Sequence, residues 1–120
     1  MDITQSKDGA LFKDRDIAVA SGVATTIIDG VTPPVKAEGL NILFSMDNVA
    51  AWATATLSIL NHGVEVWRFE DQFLTLLEEF YLFREVNLGD SYSAVLTQTS
   101  GAAVIAAIQI GIGPRAPVSL

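Results

Sequence analysis

The last third of the chain, residues 87–113 (NLGDSYSAVLTQTSGAAVIAAIQIGIG), constrains the fold more than any other stretch. It reads as two long β-strands around a tight turn at Thr99-Ser100-Gly101. In the first strand Tyr92, Ala94, Leu96 and Gln98 alternate with Ser91, Ser93, Val95 and Thr97, the period-two pattern of a half-buried strand. The second strand carries Ala102, Val104, Ala106, Ile108, Ile110 and Ile112 on one face. Ala103, Ile105, Ala107 and Gln109 lie on the other. A strand apolar on both faces must be covered from two sides. In a chain of 120 residues, the size of one ordinary domain, one cover is expected from another subunit. The face with Val104, Ile108 and Ile110 is expected to fill the subunit's own core. The small face of Ala103, Ile105 and Ala107 is the predicted subunit contact.

Composition points the same way. Half of the residues are hydrophobic and only 18% are charged, with a mean hydropathy of +0.39. That apolar excess belongs in a subunit interface, a membrane or a core with little polar surface around it. A membrane span is disfavoured: residues 91–114 are uncharged, but Thr97, Gln98, Thr99, Ser100 and Gly101 interrupt them, whereas a spanning helix needs about 20 predominantly apolar residues. The net charge is −7, and nucleic-acid binding needs a dense Lys/Arg footprint over phosphates. Neither nucleic acid nor an anionic membrane is therefore an expected partner. With no cysteine, disulfides and thiolate chemistry are excluded.

Elsewhere the residue types also favour strands. Ile17 and Val19 open one run, and Val23, Thr25 and Ile27 another. Asp29-Gly30 and Pro33-Pro34 read as a turn and a loop. Leu40, Ile42, Phe44 and Met46 alternate with Asn41, Ser45 and Asp47, although Leu43 breaks the polar side. Over Ala51 to Leu60, Ala51, Ala53, Ala55, Leu57 and Ile59 alternate with Trp52, Thr54, Thr56, Ser58 and Leu60. Asn61-His62-Gly63 reads as a three-residue hairpin loop with Gly63 left-handed. Phe73, Leu76, Leu77 and Phe80 follow helical spacing. A short helix or turn near 71–78 is therefore expected, then a strand from about residue 80. Residues 1–14 read as an N-terminal arm, 15–113 as the β-sandwich domain and 114–120 as a C-terminal tail. The predicted fold class is all-β, an antiparallel jelly-roll sandwich.

From Ala55 onward the chain resembles the jelly roll of tumour-necrosis-factor-like and globular complement-like domains. The resemblance lies in ATLSILNHGVEVW and FREVNLGDSYSAVLTQTSGAAVIAAIQIGIG. In those domains a strand ends in Asn-Gly, and a Leu-x-x-Gly-Asp turn leads into a long strand. Here Asn61 and Gly63 are split by His62, and the second turn is Val86-Asn87-Leu88-Gly89-Asp90. In size, acidity and pattern the chain is also similar to tailed-bacteriophage capsid decoration (cement) proteins. That resemblance implies a place on a virion surface and a major capsid protein as partner.

The candidate chemical groups each have a simpler structural reading. His62 is the lone histidine and sits in a turn, without a second ligand or a nucleophile beside it. Glu65, Glu70, Asp71, Glu78 and Glu79 have no spacing that forces two carboxylates into one cleft, so they read as a solvated face. Calcium at Asp47-Asn48 or Gly89-Asp90 would need six to eight oxygens. Ser91, Ser93 and Ser100 lack a nucleophile elbow. Trp52, Trp67, Phe69, Tyr81 and Tyr92 read mainly as core. Trp52 is the exception, because its strand face is otherwise polar, which suits an interface anchor.

The expectation is thus a non-enzymatic structural protein with no catalytic residue, cofactor or metal. It is expected to form a homo-oligomer, trimer before dimer, with Ala103, Ile105, Ala107 and Trp52 at the contact. The specific role expected is bacteriophage capsid decoration. The alternative is a carbohydrate- or ligand-binding module with Trp52 as its platform.

Overall fold

The structure is a computed structural model that describes residues 2–6, 9–47, 54–70 and 77–113, with side chains from Phe12 onward. Nine strands run in chain order: β1 (Asp2–Ser6), β2 (Gly9–Val19), β3 (Thr25–Val31), β4 (Ala37–Met46), β5 (Thr56–Asn61), β6 (Val64–Glu70), β7 (Leu77–Val86), β8 (Tyr92–Thr97) and β9 (Val104–Ile112). No helix occurs among the described residues. A five-stranded sheet has the order β1-β2-β9-β4-β7, and a four-stranded sheet has the order β3-β8-β5-β6. All pairings are antiparallel, and they nest: β2 with β9, β3 with β8, β4 with β7, β5 with β6. The chain behaves as one long hairpin rolled up so that successive pairs fall on alternate sheets. This order is compatible with the expected jelly roll.

The core lies between the sheets, where alternation aims the apolar set of each strand. Leu40, Ile42, Phe44 and Met46 from β4 meet Leu57 and Ile59 from β5, Tyr92, Ala94 and Leu96 from β8, and the inner face of β9. Val104, Ala106, Ile108, Ile110 and Ile112 are all at most 3% exposed, as their spacing predicts. Along the open side between the edge strands β6 and β7, Trp67, Phe69 and Phe80 close the gap as a half-buried aromatic triad. Phe69 and Phe80 are 4.6 Å apart between ring centres, and Trp67 and Phe80 5.0 Å.

Several local expectations are corrected. Residues 2–6 and 9–14, expected as an arm, form β1 and the first part of β2, where Ala10 to Asp14 pair with Ile112 to Ile108. Apolar residues such as Leu11 and Phe12 in an otherwise polar stretch mark the strand. Of the helix expected near 71–78, residues 71–76 lie outside the described residues, and Leu77 and Glu78 already belong to β7. There the ladder to β4 overrides helical spacing. Asp29-Gly30 is a bulge inside β3, with Gly30 at φ 68° and the pairing to β8 shifted around it. The β5–β6 connection is a two-residue turn, because Asn61 pairs with Val64 and both His62 (φ 49°) and Gly63 (φ 80°) are left-handed. That is the type I′ geometry whose twist matches the flanking strands. The tail at 114–120 lies outside the described residues.

One end of the sandwich is closed by a buried amide. Gln98 has no exposed surface. Its Nε2 donates to the carbonyls of Val19 (3.1 Å) and Ala102 (2.7 Å), and its Oε1 accepts from the Ser100 N–H (2.8 Å) and hydroxyl (2.5 Å). Each polar atom is used, which is the condition for burying an amide without loss. Gly22 N–H on the Gln98 carbonyl and Gly101 N–H on the Ser21 hydroxyl tie the β2–β3 and β8–β9 turns together.

Two outcomes are expected. Gln98→Leu leaves the Val19 carbonyl and Ser100 N–H without their partner and lowers unfolding free energy by about 3 kcal/mol, read by urea denaturation. Deletion of residues 1–14 uncovers the β9 edge from Ile108 to Ile112 and lowers the melting temperature, whereas removal of a loose arm leaves it unchanged.

Candidate functional site

The two outer faces of the sandwich differ in chemistry because their strands alternate against different residues. On the four-stranded sheet the outward positions are Thr56 and Ser58 of β5, Ser93, Val95 and Thr97 of β8, and Arg68 and Glu70 of β6. Arg68 pairs with Glu65 at 2.9 Å and with Glu70 at 3.6 Å. The Ser58 hydroxyl also donates to Glu65. Together with Arg68 it holds that carboxyl below the usual range. This is a solvated polar face, and exposed ion pairs of this kind add little stability.

On the five-stranded sheet the outward positions of the two central strands mix small, apolar and amide side chains, flanked by Lys13 on β2 and Glu79 on β7. The central positions are Gly39, Asn41, Leu43 and Ser45 on β4, and Ile105, Ala107, Gln109 and Gly111 on β9. Leu43 and Gln109 are each 5% exposed, so the middle of this face is already covered. Ile105 is 40% exposed, Ala107 is half-buried, and Ala103 is exposed just before β9 begins. The structure thus brings Ala103, Ile105 and Ala107 to one end of this face. Trp52 lies outside the described residues. Ala107 lies opposite Arg15-Asp16, an irregular step where the β2–β9 register shifts and Asp16 turns to φ 59°. A shallow depression there is lined by Lys13, Asp14, Arg15, Asp16, Ala107 and Ile108.

The polar residues singled out in the sequence are used to close loops. At the end opposite Gln98, His62 Nε2 donates to the Gly89 carbonyl at 2.6 Å, and its backbone N–H donates to Ser91. Asn61 Oδ1 accepts from the Ser91 N–H. The two turns that carry the family resemblance are therefore stitched to each other. Asp90 Oδ2 accepts from the Asn87 N–H (2.9 Å) and the Tyr92 hydroxyl (2.7 Å). Arg84 lies 5.8 Å over the Tyr92 ring. Asp47 clamps the start of β9: its Oδ1 accepts from Ile105 N–H at 2.8 Å, and its own N–H donates to the Ile105 carbonyl. Among the described residues no three His, Asp or Glu side chains converge as metal ligands.

The aromatics divide three ways. Tyr92 is fully buried, and Trp67 and Phe69 belong to the edge triad. Tyr81 lies on the outer face of β7, over Gly39, where an added Cβ would come within 2.7 Å of its ring. Phe83, next along that face, packs edge-on to Tyr81 at 4.5 Å and is 87% exposed. Sequence reasoning missed Phe83. Its cross-strand neighbour on β4 is Gly39, which offers no side chain to cover it, and that pairing is invisible in the sequence.

No protein-family model matches the chain, and none of the curated proteins matches it. Among solved structures, the crystal structure of FLHE is similar over 88% of this chain and 96% of that one, at 12% identity and a TM-score of 0.52. At that identity the likeness shows the sandwich fold alone.

The Asp90 network has a pH signature. Burial would raise the Asp90 carboxyl, but the Asn87 N–H, Tyr92 hydroxyl, Asn61 amide and Arg84 charge hold it below its ordinary value. A depressed carboxyl contributes stability above its unfolded value, near pH 4, and loses it as pH falls through the lower native value. Burial and the Asp90 hydrogen bond push the Tyr92 phenol up to about 12. Stability therefore falls as pH rises from the unfolded tyrosine value of about 10 towards that native value. Chemical denaturation across pH should show both losses. Tyr92→Phe should flatten the alkaline one, and Asp90→Asn should flatten the acid one.

Proposed function

We propose that the chain is a structural, non-catalytic β-sandwich that works as a homo-oligomer, and that its specific role is decoration of a viral, bacteriophage-type capsid. The observation that carries the self-association is the contrast between the two outer faces. One carries mainly Thr, Ser and paired charges, with Val95 among them, while the other presents Ala103, Ile105 and Ala107 at an exposed end. Apolar side chains left exposed on an outer face are where a partner gains from excluding water. Further support is that His62, Asp47, Asp90 and Tyr92, the groups best suited to chemistry, are engaged in loop closure. The nested strand order, the acidic charge and the small size agree with the decoration-protein resemblance. In this role the Ala103–Ala107 end joins subunit to subunit, and the acidic exterior meets a basic shell surface.

The test is Ala107→Arg. The new side chain lies at a shallow depression lined by Asp14 and Asp16 as well as Lys13 and Arg15, and the fold is expected to persist by circular dichroism. Light scattering should show the wild type as a trimer or dimer at micromolar concentration and the variant as a smaller species. Assembly unchanged in the folded variant would remove this face from the contact. For the capsid role, antibody against the chain should label the outside of intact particles in electron microscopy.

A further inference from the structure

The geometry points to a second self-contact, distinct from the Ala103–Ala107 end: two copies of the chain pair antiparallel through the free edge of β7, joining their five-stranded sheets into one. This deepens the oligomeric reading above and rests on it.

Edge strands are templates for pairing, and proteins blunt them with bulges, charges or short length. Three of the four outer margins here are blunted. At the other end of the larger sheet β1 is only five residues long, and the β2 margin beyond it carries Asp14, Arg15 and Asp16 across a register shift. The β3 edge is broken by two shifts. The β6 edge has a shift at Val66, and Glu65, Arg68 and Glu70 flank it. β7 differs. It is last in its sheet, among the described residues it pairs only with β4, and its register is unbroken from Leu77 to Phe83. It also presents two large exposed apolar side chains, Phe83 at 87% and Leu77 at 47%.

The β7 sequence, LEEFYLFREV, selects both the occupant and the register. Two copies related by a two-fold axis through Tyr81 place Glu78 of each opposite Arg84 of the other, twice by symmetry. That sets a carboxylate beside the Arg84 guanidinium, which within its own chain lies over the Tyr92 ring and near Asp90. Phe83 then stands opposite Glu79 of the second copy, diagonal to its Tyr81 and Leu77, within the reach of cross-strand aromatic neighbours. Phe80 meets Leu82, which continues the core across the seam. A register centred on Leu82 sets Glu79 against Glu85. One centred on Phe80 ends before Arg84. Registers displaced by one residue bring opposite sheet faces together. Only the Tyr81-centred pairing matches charge and buries Phe83.

The chain has no cysteine, so engineered thiols report the register. Glu79→Cys/Phe83→Cys places two thiol pairs directly opposite each other and is expected to give a covalent dimer under mild oxidation. Either single variant is expected to stay uncrosslinked, because its two thiols lie about 13 Å apart along the strands, beyond disulfide reach. Phe83→Asp, at a site with no role in the core, is expected to raise the dissociation constant about tenfold or more, the scale of a lost aromatic anchor, with an unchanged melting curve. A wild type that is monomeric by light scattering overturns both this pairing and the oligomeric reading. An oligomer whose double-cysteine variant does not crosslink, or which Phe83→Asp leaves intact, overturns the β7 pairing alone.

Discussion

Strand β9 is hydrogen-bonded on both flanks, by β2 along one edge and by β4 along the other, while its inner face of Val104, Ala106, Ile108, Ile110 and Ile112 supplies the centre of the core. The rest of the sandwich depends on that placement. Residues at the two ends of the sequence must meet before β9 has a slot, so the fold is assembled from contacts distant in sequence. Loop-closure entropy is spent early, and the reward comes when apolar faces of both sheets close on each other. The β2–β9 and β4–β7 pairs hold the larger sheet, and β3–β8 and β5–β6 hold the smaller one.

Because antiparallel strands alternate strictly, filling the core fixes what each outer face displays. The smaller sheet turns Thr, Ser and paired charges to water. The larger sheet turns glycine, alanine and apolar side chains outward among amides and flanking charges. This asymmetry underlies the proposed assembly role, and it arises from the same period-two pattern that builds the core. Polar side chains serve mainly to finish the ends. Gln98 closes one end through four hydrogen bonds, and the His62, Asn61 and Asp90 contacts close the other.

Much of this was legible in the sequence. The alternation in β4, β5, β8 and β9 names the buried residues correctly, from Leu40 to Met46, Ala55 to Ile59, Tyr92 to Gln98 and Val104 to Ile112. Gly63 was read as left-handed, but the matching conformation of His62 was not, since histidine carries no strong turn signal. Leu88, in the Val86-to-Asp90 turn, is 59% exposed because the chain leaves β7 before it. The N-terminal strands were hidden because the β2–β9 ladder, with β1 paired on β2, compensates for a polar composition that an isolated strand would not tolerate.

By itself the sequence determined the class: an all-β domain with two-faced strands, no thiol chemistry and an apolar excess. Those properties follow from residue type and period, which are local. The tertiary structure decided which strands are neighbours, and through that which apolar residues stay outside. Phe83 is exposed because register sets it against Gly39, and Leu43 is buried although its face points away from the core. Alternation tells which side of a strand a residue occupies. Only pairing across the sheet tells whether anything covers it there.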